Sequence, residues 1–420
     1  MQPMKVRAKR WLAFGLGAAL LACICLPVAA SGIIPGIRAF SEEDTVTIPK
    51  SEYERLQRFK VLDEVIRNVE LHYIDEPDVD AMLEFAAETI LYSLEEPLYT
   101  YYIPGEGMEK MYEEYIGAYA GVGMQLMESA DDHLITVIRV FANSPAERAG
   151  VQRGDKVIAV NGELFYGSTM SAAVDEMRGT PGTEVSVTFV RGDGEPFDLT
   201  LTRQMIEINN VTYEMLDNGI GYLQIYQFMG TDVRLFRSGL AFFKENNARG
   251  MVIDVRDNPG GLVHDAVFIA DELLDAGLVT YTEDRYGIRE EMHSYDGKYD
   301  IPVVILVNEF SASASEILAG ALKDRGVAKL VGVQTFGKGI VQRVYALQTT
   351  ENAGMQLTTG RFYSPSGVCI HGTGIEPDVI IEQPEELRVR GTAVPHDQDV
   401  QLLRAIEVLE EEIAARNMGN

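Results

Sequence analysis

The chain has 420 residues, of which 46% are apolar, and it carries a formal net charge of -28. That length and apolar share suffice for two or three domains with true cores and exclude a wholly disordered chain. The surplus of carboxylates argues against nucleic acid as a partner, because phosphate binding needs clustered Lys and Arg.

In chain order, Lys5, Arg7, Lys9 and Arg10 precede "WLAFGLGAALLACICLPVAA", an uncharged run of the length that crosses a bilayer. We read residues 1–30 as a targeting segment retained as a membrane anchor, with the rest of the chain outside the cytoplasm. The alternative is cleavage before Ser31, following Val28 and Ala30, which gives a secreted protein. A lipoprotein reading at Cys23 is weaker, because Leu21 stands where a small residue is expected. Cys23 and Cys25 fall in this segment, so Cys369 has no partner for an intramolecular disulfide. The six histidines are scattered without paired Cys/His spacing, so no metal is expected.

After a linker over residues 31–48, residues 49–116 are charged, with apolar residues recurring at three and four, which predicts two or three helices. The stretch "EPLYTYYIPGEG", with two prolines and two glycines, predicts a loop between helices. Over residues 117–204 short alternating strands surround a "SPAERAG" helix closed by Gly150, an Asn161-Gly162 turn and one longer helix. The run "SPAERAGVQRGDKVIAVNG" resembles the core of a PDZ domain. On that resemblance Gly121, Val122 and Gly123 form the loop whose peptide N–H groups receive a terminal carboxylate, while an extended peptide adds to the sheet edge.

Residues 205–390 alternate apolar strand-length runs, such as "ARGMVIDV" and "DIPVVILVN", with helical stretches, predicting a mixed α/β core. Residues 391–420 close the chain with an acidic helix. The fold class is therefore multidomain α+β: a helical segment, a β-rich PDZ domain with two helices, and an α/β core.

Within the core, "NEFSASASEIL" runs from a buried strand into a helix. Ser313 with Glu316 three places on is a capping box, and the same position suits a nucleophile beside unpaired helix N–H groups. No G-x-S-x-G elbow occurs, and His264, after "NPGG", is the one histidine worth weighing as a base. In "VQTFGKGIVQ", Lys338 has apolar neighbours that would lower its pKa and free an amine to accept a proton. Four residues separate it from Gln342, and a helical turn would put both on one face.

Together "FSASASEIL", "TFGKGIVQ", "DVRDNPGG" and "GTGIEPDV" resemble the carboxyl-terminal processing peptidases, or tail-specific proteases, a serine-lysine family. The resemblance runs from about Phe59 to the C-terminal helix and covers the order of segments. It implies a catalytic set of Ser313, Lys338 and Gln342, with Ala314 and Gly261 N–H groups as the oxyanion hole. It also implies a coupling role for Arg178 in "MRGTPGT". "SLEEPLYTYY" departs from the commoner Asp-Pro-His form of the helical segment. The expected activity is serine endopeptidase cleavage of proteins captured by a free, apolar C-terminal tail, without a cofactor. A homo-oligomer is compatible with this reading. The alternatives are an inactive PDZ scaffold that binds C-termini, and a Ser-His hydrolase using His264.

Overall fold

The computed structural model describes residues 47–419, apart from residues 95, 97, 106, 109–110, 112–117, 130–131, 349–351 and 388–393. The chain divides after Val79 into two compact units. The first contains α1 (Lys50–Leu56), a 3₁₀ turn (Gln57–Phe59) and α2 (Lys60–His72), none with a buried residue.

The expected membrane anchor is corrected here. Among the described residues no helix is long and apolar enough to cross a membrane. The run at residues 11–30 on which that expectation rested lies outside the described residues, as does the linker up to residue 46.

All of α3 (Val79–Tyr92) but its first residue lies in the second unit, followed by β1 (Tyr101–Ile103). Part of the aromatic-rich stretch expected to be a loop is thus a strand. Tyr101 to Ile103 pair antiparallel with a late strand of the core, because alternating residues of a β-rich tripeptide can bury one face there.

The PDZ region is built from two sheets, with strands β2 (Ala118–Gly121), β3 (Met124–Glu128), β4 (Ile135–Val140), β5 (Lys156–Val160), β6 (Glu163–Leu164), β7 (Glu184–Val190), β8 (Phe197–Thr202) and β9 (Gln204–Glu207). Strands β3-β4-β5-β7-β8 pair in that order, and β2 pairs with β9. Helix α4 (Pro145–Arg148) starts as read: the Ser144 side chain accepts the Glu147 N–H at 3.1 Å, and Gly150 takes φ 82° just beyond its end. The longer helix is α5 (Met170–Met177). Asn161 and Gly162 both have positive φ, as a tight hairpin turn demands.

The core holds β10 (Val211–Met215), β11 (Gly221–Ile225), α6 (Asp232–Glu245), β12 (Met251–Asp254), α7 (Val263–Asp271), β13 (Gly277–Asp284), β14 (Arg289–Ser294), β15 (Val303–Val307), α8 (Ala314–Asp324), β16 (Ala328–Gly332), β17 (Ile340–Ala346), β18 (Gly354–Tyr363), β19 (Val379–Ile380) and α9 (Val400–Gly419). One sheet runs β10-β11-β12-β15-β16-β19, parallel from β11 onward. All five residues of β15 are buried because both faces of this sheet are covered. Val303, Ile305 and Val307 pack with Phe236, Phe243 and Leu318, whereas Val304 and Leu306 pack with Leu402, Ala405 and Leu409 of α9. Leu306→Ala, at 0% exposure, is expected to cost about 2–5 kcal/mol, read as a lower denaturant midpoint at unchanged m-value.

A second, antiparallel sheet orders β1-β18-β13-β14, with β17 on the other edge of β18. Its strands join residues far apart in the chain, such as Tyr101 with Gln356 and Tyr281 with Tyr363. The carboxyl ends of the adjacent parallel strands β11, β12, β15 and β16 all deliver loops to one rim, where open α/β sheets place their ligands.

Candidate active site

The turn from β15 to α8 separates the three alternating serines into two roles. Ser311 and Ser315 are fully buried and serve the backbone. Ser311 Oγ donates to Val255 O at 2.8 Å and accepts the Asn308 N–H at 2.9 Å, and Ser315 Oγ donates to Asn258 O at 3.0 Å. Ser313 stands between them at φ 57°, ψ -115°, a conformation that costs a non-glycine residue roughly 1–3 kcal/mol and persists only where its surroundings over-determine it. Its hydroxyl makes no cap hydrogen bond, while the reciprocal half of the expected capping box is in place, the Glu316 carboxylate accepting the Ser313 N–H at 2.9 Å. The first turn is also closed through the Ser313 carbonyl, which accepts from Glu316 N (2.9 Å) and Ile317 N (3.0 Å).

The loop after β12 is packed directly on this turn. Asn258, fully buried, donates to Ile225 O at 2.8 Å, accepts the Gly260 N–H at 2.9 Å, and receives the Ala312 N–H on its own carbonyl at 3.0 Å. Gly260 has φ 102°, and a Cβ there would lie 2.7 Å from Ala312 O, 2.7 Å from Ser313 Cβ and 2.9 Å from Ala314 N. Only glycine fits at that approach. "NPGG" is therefore a wall of the Ser313 pocket rather than a remote turn. The N–H groups of Ala314 and Gly261 have no acceptor among the described residues.

Glu316 joins this turn to the lysine loop. The carboxylate is 1% exposed and accepts four bonds: from Ser313 N (2.9 Å), Lys338 N (2.9 Å), Gly337 N (2.8 Å) and Thr335 Oγ1 (2.5 Å). Burial pushes its pKa up, and the four donors pull against that shift. Because one oxygen, Oε2, serves both the Ser313 and Lys338 N–H groups, the two backbones come within reach of a single atom. "GTGIEPDV" braces the same loop: Gly372 N donates to Gly337 O (2.9 Å) and Ile375 N to Thr335 Oγ1 (2.7 Å).

Lys338 is half-buried, and burial lowers its pKa, opposed by the charge of Glu316. Its Nζ lies 4.7 Å from the centroid of the Tyr99 ring. No hydrogen bond links it to Ser313 Oγ among the described residues. Gln342 is in strand β17, with a register shift between Val341 and Gln342, so the helical turn expected to align it with Lys338 does not form. Its Nε2 is buried without a hydrogen-bond partner among the described residues. His264 is exposed on α7. Among the described residues no cluster of three or more His, Cys, Asp or Glu could hold a metal ion.

Beside this rim lies a groove of about 380 Å³, lined by Tyr119, Gly121, Val122, Met177 and Arg178 of the PDZ domain and by Gln227 and Met229 of the core. Gly123 takes φ 85°, and a Cβ there would lie 2.1 Å from Ser144 Cβ, so only glycine fits in the loop. The Arg178 guanidinium is 5.2 Å from the Tyr119 ring centroid, and burial pushes the Tyr119 phenol up to about 12. Between the two core residues that line the groove, Phe228 forms a bridge with Gly261. Its N–H donates to Gly260 O (2.9 Å) and its carbonyl accepts from Leu262 N (2.7 Å). The groove and the "NPGG" loop thus share one backbone segment.

Sequence reading missed Asn258, the mutual Asp257–Asn308 hydrogen bonds (2.9 and 3.0 Å), and Arg256, which pairs with Asp254 (2.6 Å) and with Asp399 (2.7 Å) ahead of α9. The signal was the polar run "DVRDNPGG" directly after a buried strand, which cannot stay unpaired there.

A serine at a strained strand-to-helix turn, a desolvated lysine and a neighbouring PDZ groove define a serine-type peptidase with a peptide-binding domain. Residues 219–381 match the model of peptidase family S41, and residues 136–191 match that of a PDZ domain. The chain is 32% identical over 418 residues to the carboxyl-terminal-processing protease of Synechocystis sp., covering 97% of this chain and 95% of that one. It is also 32% identical to a carboxy-terminal-processing protease of Bartonella bacilliformis, over 87% of this chain and 83% of that one. Among solved structures, the photosystem II D1 C-terminal processing protease is similar, with TM-score 0.50 and 26% identity over 82% of this chain and 98% of that one. The chain belongs to the carboxyl-terminal processing peptidases of family S41, serine endopeptidases with a PDZ domain.

Proposed function

We propose that this enzyme captures the free, apolar C-terminal tail of a protein in its PDZ groove and cleaves a peptide bond upstream through Ser313 and Lys338. The observation that carries the reading is Glu316, one buried carboxylate that binds the backbones of both residues, while the Ser313 hydroxyl makes no cap hydrogen bond among the described residues. Neutral Lys338 accepts the Ser313 proton as Oγ attacks the carbonyl carbon, and the ammonium then protonates the leaving amine. Water attacks the resulting acyl-enzyme under the same base. The Ala314 and Gly261 N–H groups, each without an acceptor among the described residues, receive the oxyanion. Gln342, whose buried Nε2 has no partner among the described residues, orients the amine once Lys338 turns toward Ser313. Gly121, Val122 and Gly123 receive the tail carboxylate, and Arg178 senses its arrival through the groove it shares with Gln227 and Met229. Residues 49–116, 117–204, 205–390 and 391–420 are the corresponding helical, PDZ, catalytic and C-terminal segments.

Cleavage of a protein with an unstructured apolar tail tests this directly, with the same protein amidated at its C-terminus as control. Wild-type enzyme is expected to cut the free tail faster, and a fluorophosphonate should label the peptide containing Ser313. Equal cleavage by wild type and Ser313→Ala would instead leave a tail-binding scaffold. Gly260→Ala is expected to lower kcat by about 10²–10³ with little change in KM, because the added Cβ pushes the Ala314 N–H out of line. Steady-state kinetics on a tail peptide check it.

A further inference from the structure

Tyr99 has no part in the chemistry derived above, yet its ring lies over the amine of Lys338, 4.7 Å from the centroid. The segment that carries it is pinned at several points. Glu96 Oε1 is 3.1 Å from His371 Nε2, and the His371 backbone packs against Gly339, where a Cβ would lie 2.5 Å from its N. Gln356 Nε2 donates to Tyr99 O (3.1 Å), and Thr358 N donates to Thr100 Oγ1 (3.1 Å). Strand β1, which follows, and strand β17, which follows Lys338, both pair with β18. Tyr99 and Lys338 are therefore delivered to one another by a shared sheet.

We propose that Tyr99 is the positioning residue for the general base, its ring forming the wall that keeps water from the Lys338 amine. This rests on Lys338 being the base.

Two effects of the ring oppose each other. An aromatic face attracts an ammonium by about 0.5–1 kcal/mol at a partly exposed site and so favours the protonated amine. Excluding water disfavours the ammonium, by up to several pKa units on full burial. Lys338 is displaced downward with burial the largest cause, against the attraction of Glu316, and the Tyr99 ring is part of what covers the amine. Among the described residues the charged or titratable groups acting on the amine are Glu316 of α8 and Tyr99, and Glu96, paired with His371, acts in turn on Tyr99. The phenol is pushed up by its own burial, then by Glu96 and Glu316, the opposite direction from the amine it faces.

The amine is titrated without reference to activity, by the pH dependence of Lys338 acetylation read by mass spectrometry in a Ser313→Ala background. Tyr99→Ala is expected to raise its apparent pKa by about one unit, and Tyr99→Phe to leave it in place. With Ser313 intact, the acid limb of kcat/KM should move by the same amount. That is about tenfold less activity below the limb, restored at high pH, with KM unchanged. Tyr99→Thr replaces Tyr99→Ala if the latter melts early. An unchanged amine, or one whose pKa falls, overturns the proposal, the fall meaning that the π contact prevails. An amine that rises while the acid limb stays fixed supports the wall and instead removes Lys338 from its place as base.

Discussion

Lys338→Ala should lower kcat/KM on a tail-bearing protein by at least about 10⁴, and the double variant with Ser313→Ala should be scarcely worse than either alone. Nucleophile and base act as a unit, so removing one leaves nothing for the other to do. The tail-binding constant, measured separately by anisotropy of a labelled peptide, should stay within about twofold, because the groove is lined by Tyr119, Arg178 and their neighbours and not by Lys338. The wild-type pH profile supplies the sign. A base must be unprotonated to work, so activity rises with pH through its pKa. Burial places that pKa below the ordinary lysine value. An acid limb below that of a solvated lysine is expected, and it should vanish from any residual activity of Lys338→Ala. If Lys338→Ala retained most of the activity while His264→Ala lost it, the base would be the exposed histidine instead.

The second large effect falls on Glu316. Deleting its carboxylate leaves the N–H groups of Ser313, Gly337 and Lys338 and the Thr335 hydroxyl without their acceptor in a dry interior. At about 1–3 kcal/mol for each donor left unsatisfied, Glu316→Ala should cost at least about 3 kcal/mol of stability and nearly all activity. Glu316→Gln separates the two consequences. It keeps the volume and one acceptor oxygen but turns an amide NH₂ toward two of the donors. It should melt only a few degrees lower, yet lose about 10²-fold or more in kcat, because the Ser313 and Lys338 backbones no longer share an atom. Thermal melts and single-turnover cleavage on the same preparations check both. A Glu316→Gln enzyme at full rate would mean that the carboxylate only fills space.

Much of the core could be read from local pattern. The five apolar residues of β15 announce a strand covered on both faces, and Ser144 with Gly150 announces the short PDZ helix, because caps and periodicity act within a few residues. The antiparallel sheet was only partly legible. Strand β1 came from a stretch taken as a loop, and β17 from one taken as a helical turn, since a strand's partner across the fold decides its state more than its own residues do. The membrane-anchor expectation drew on an apolar run behind a cationic flank, both outside the described residues, and no described helix supports it.

By itself the sequence determined which chemistry was available: a serine at the mouth of a buried strand, a lysine between glycines, and a glycine loop suited to carboxylate. What it could not decide was which of three alternating serines is free to react. Ser311 and Ser315 spend their hydroxyls on Val255 and Asn258, more than fifty residues away in the chain. Glu316 reads locally as a helix cap, yet its partners at 335, 337 and 338 come from the end of the next parallel strand. Hydrogen bonds that cross the rim of a sheet depend on strand order and register, which only the folded chain possesses.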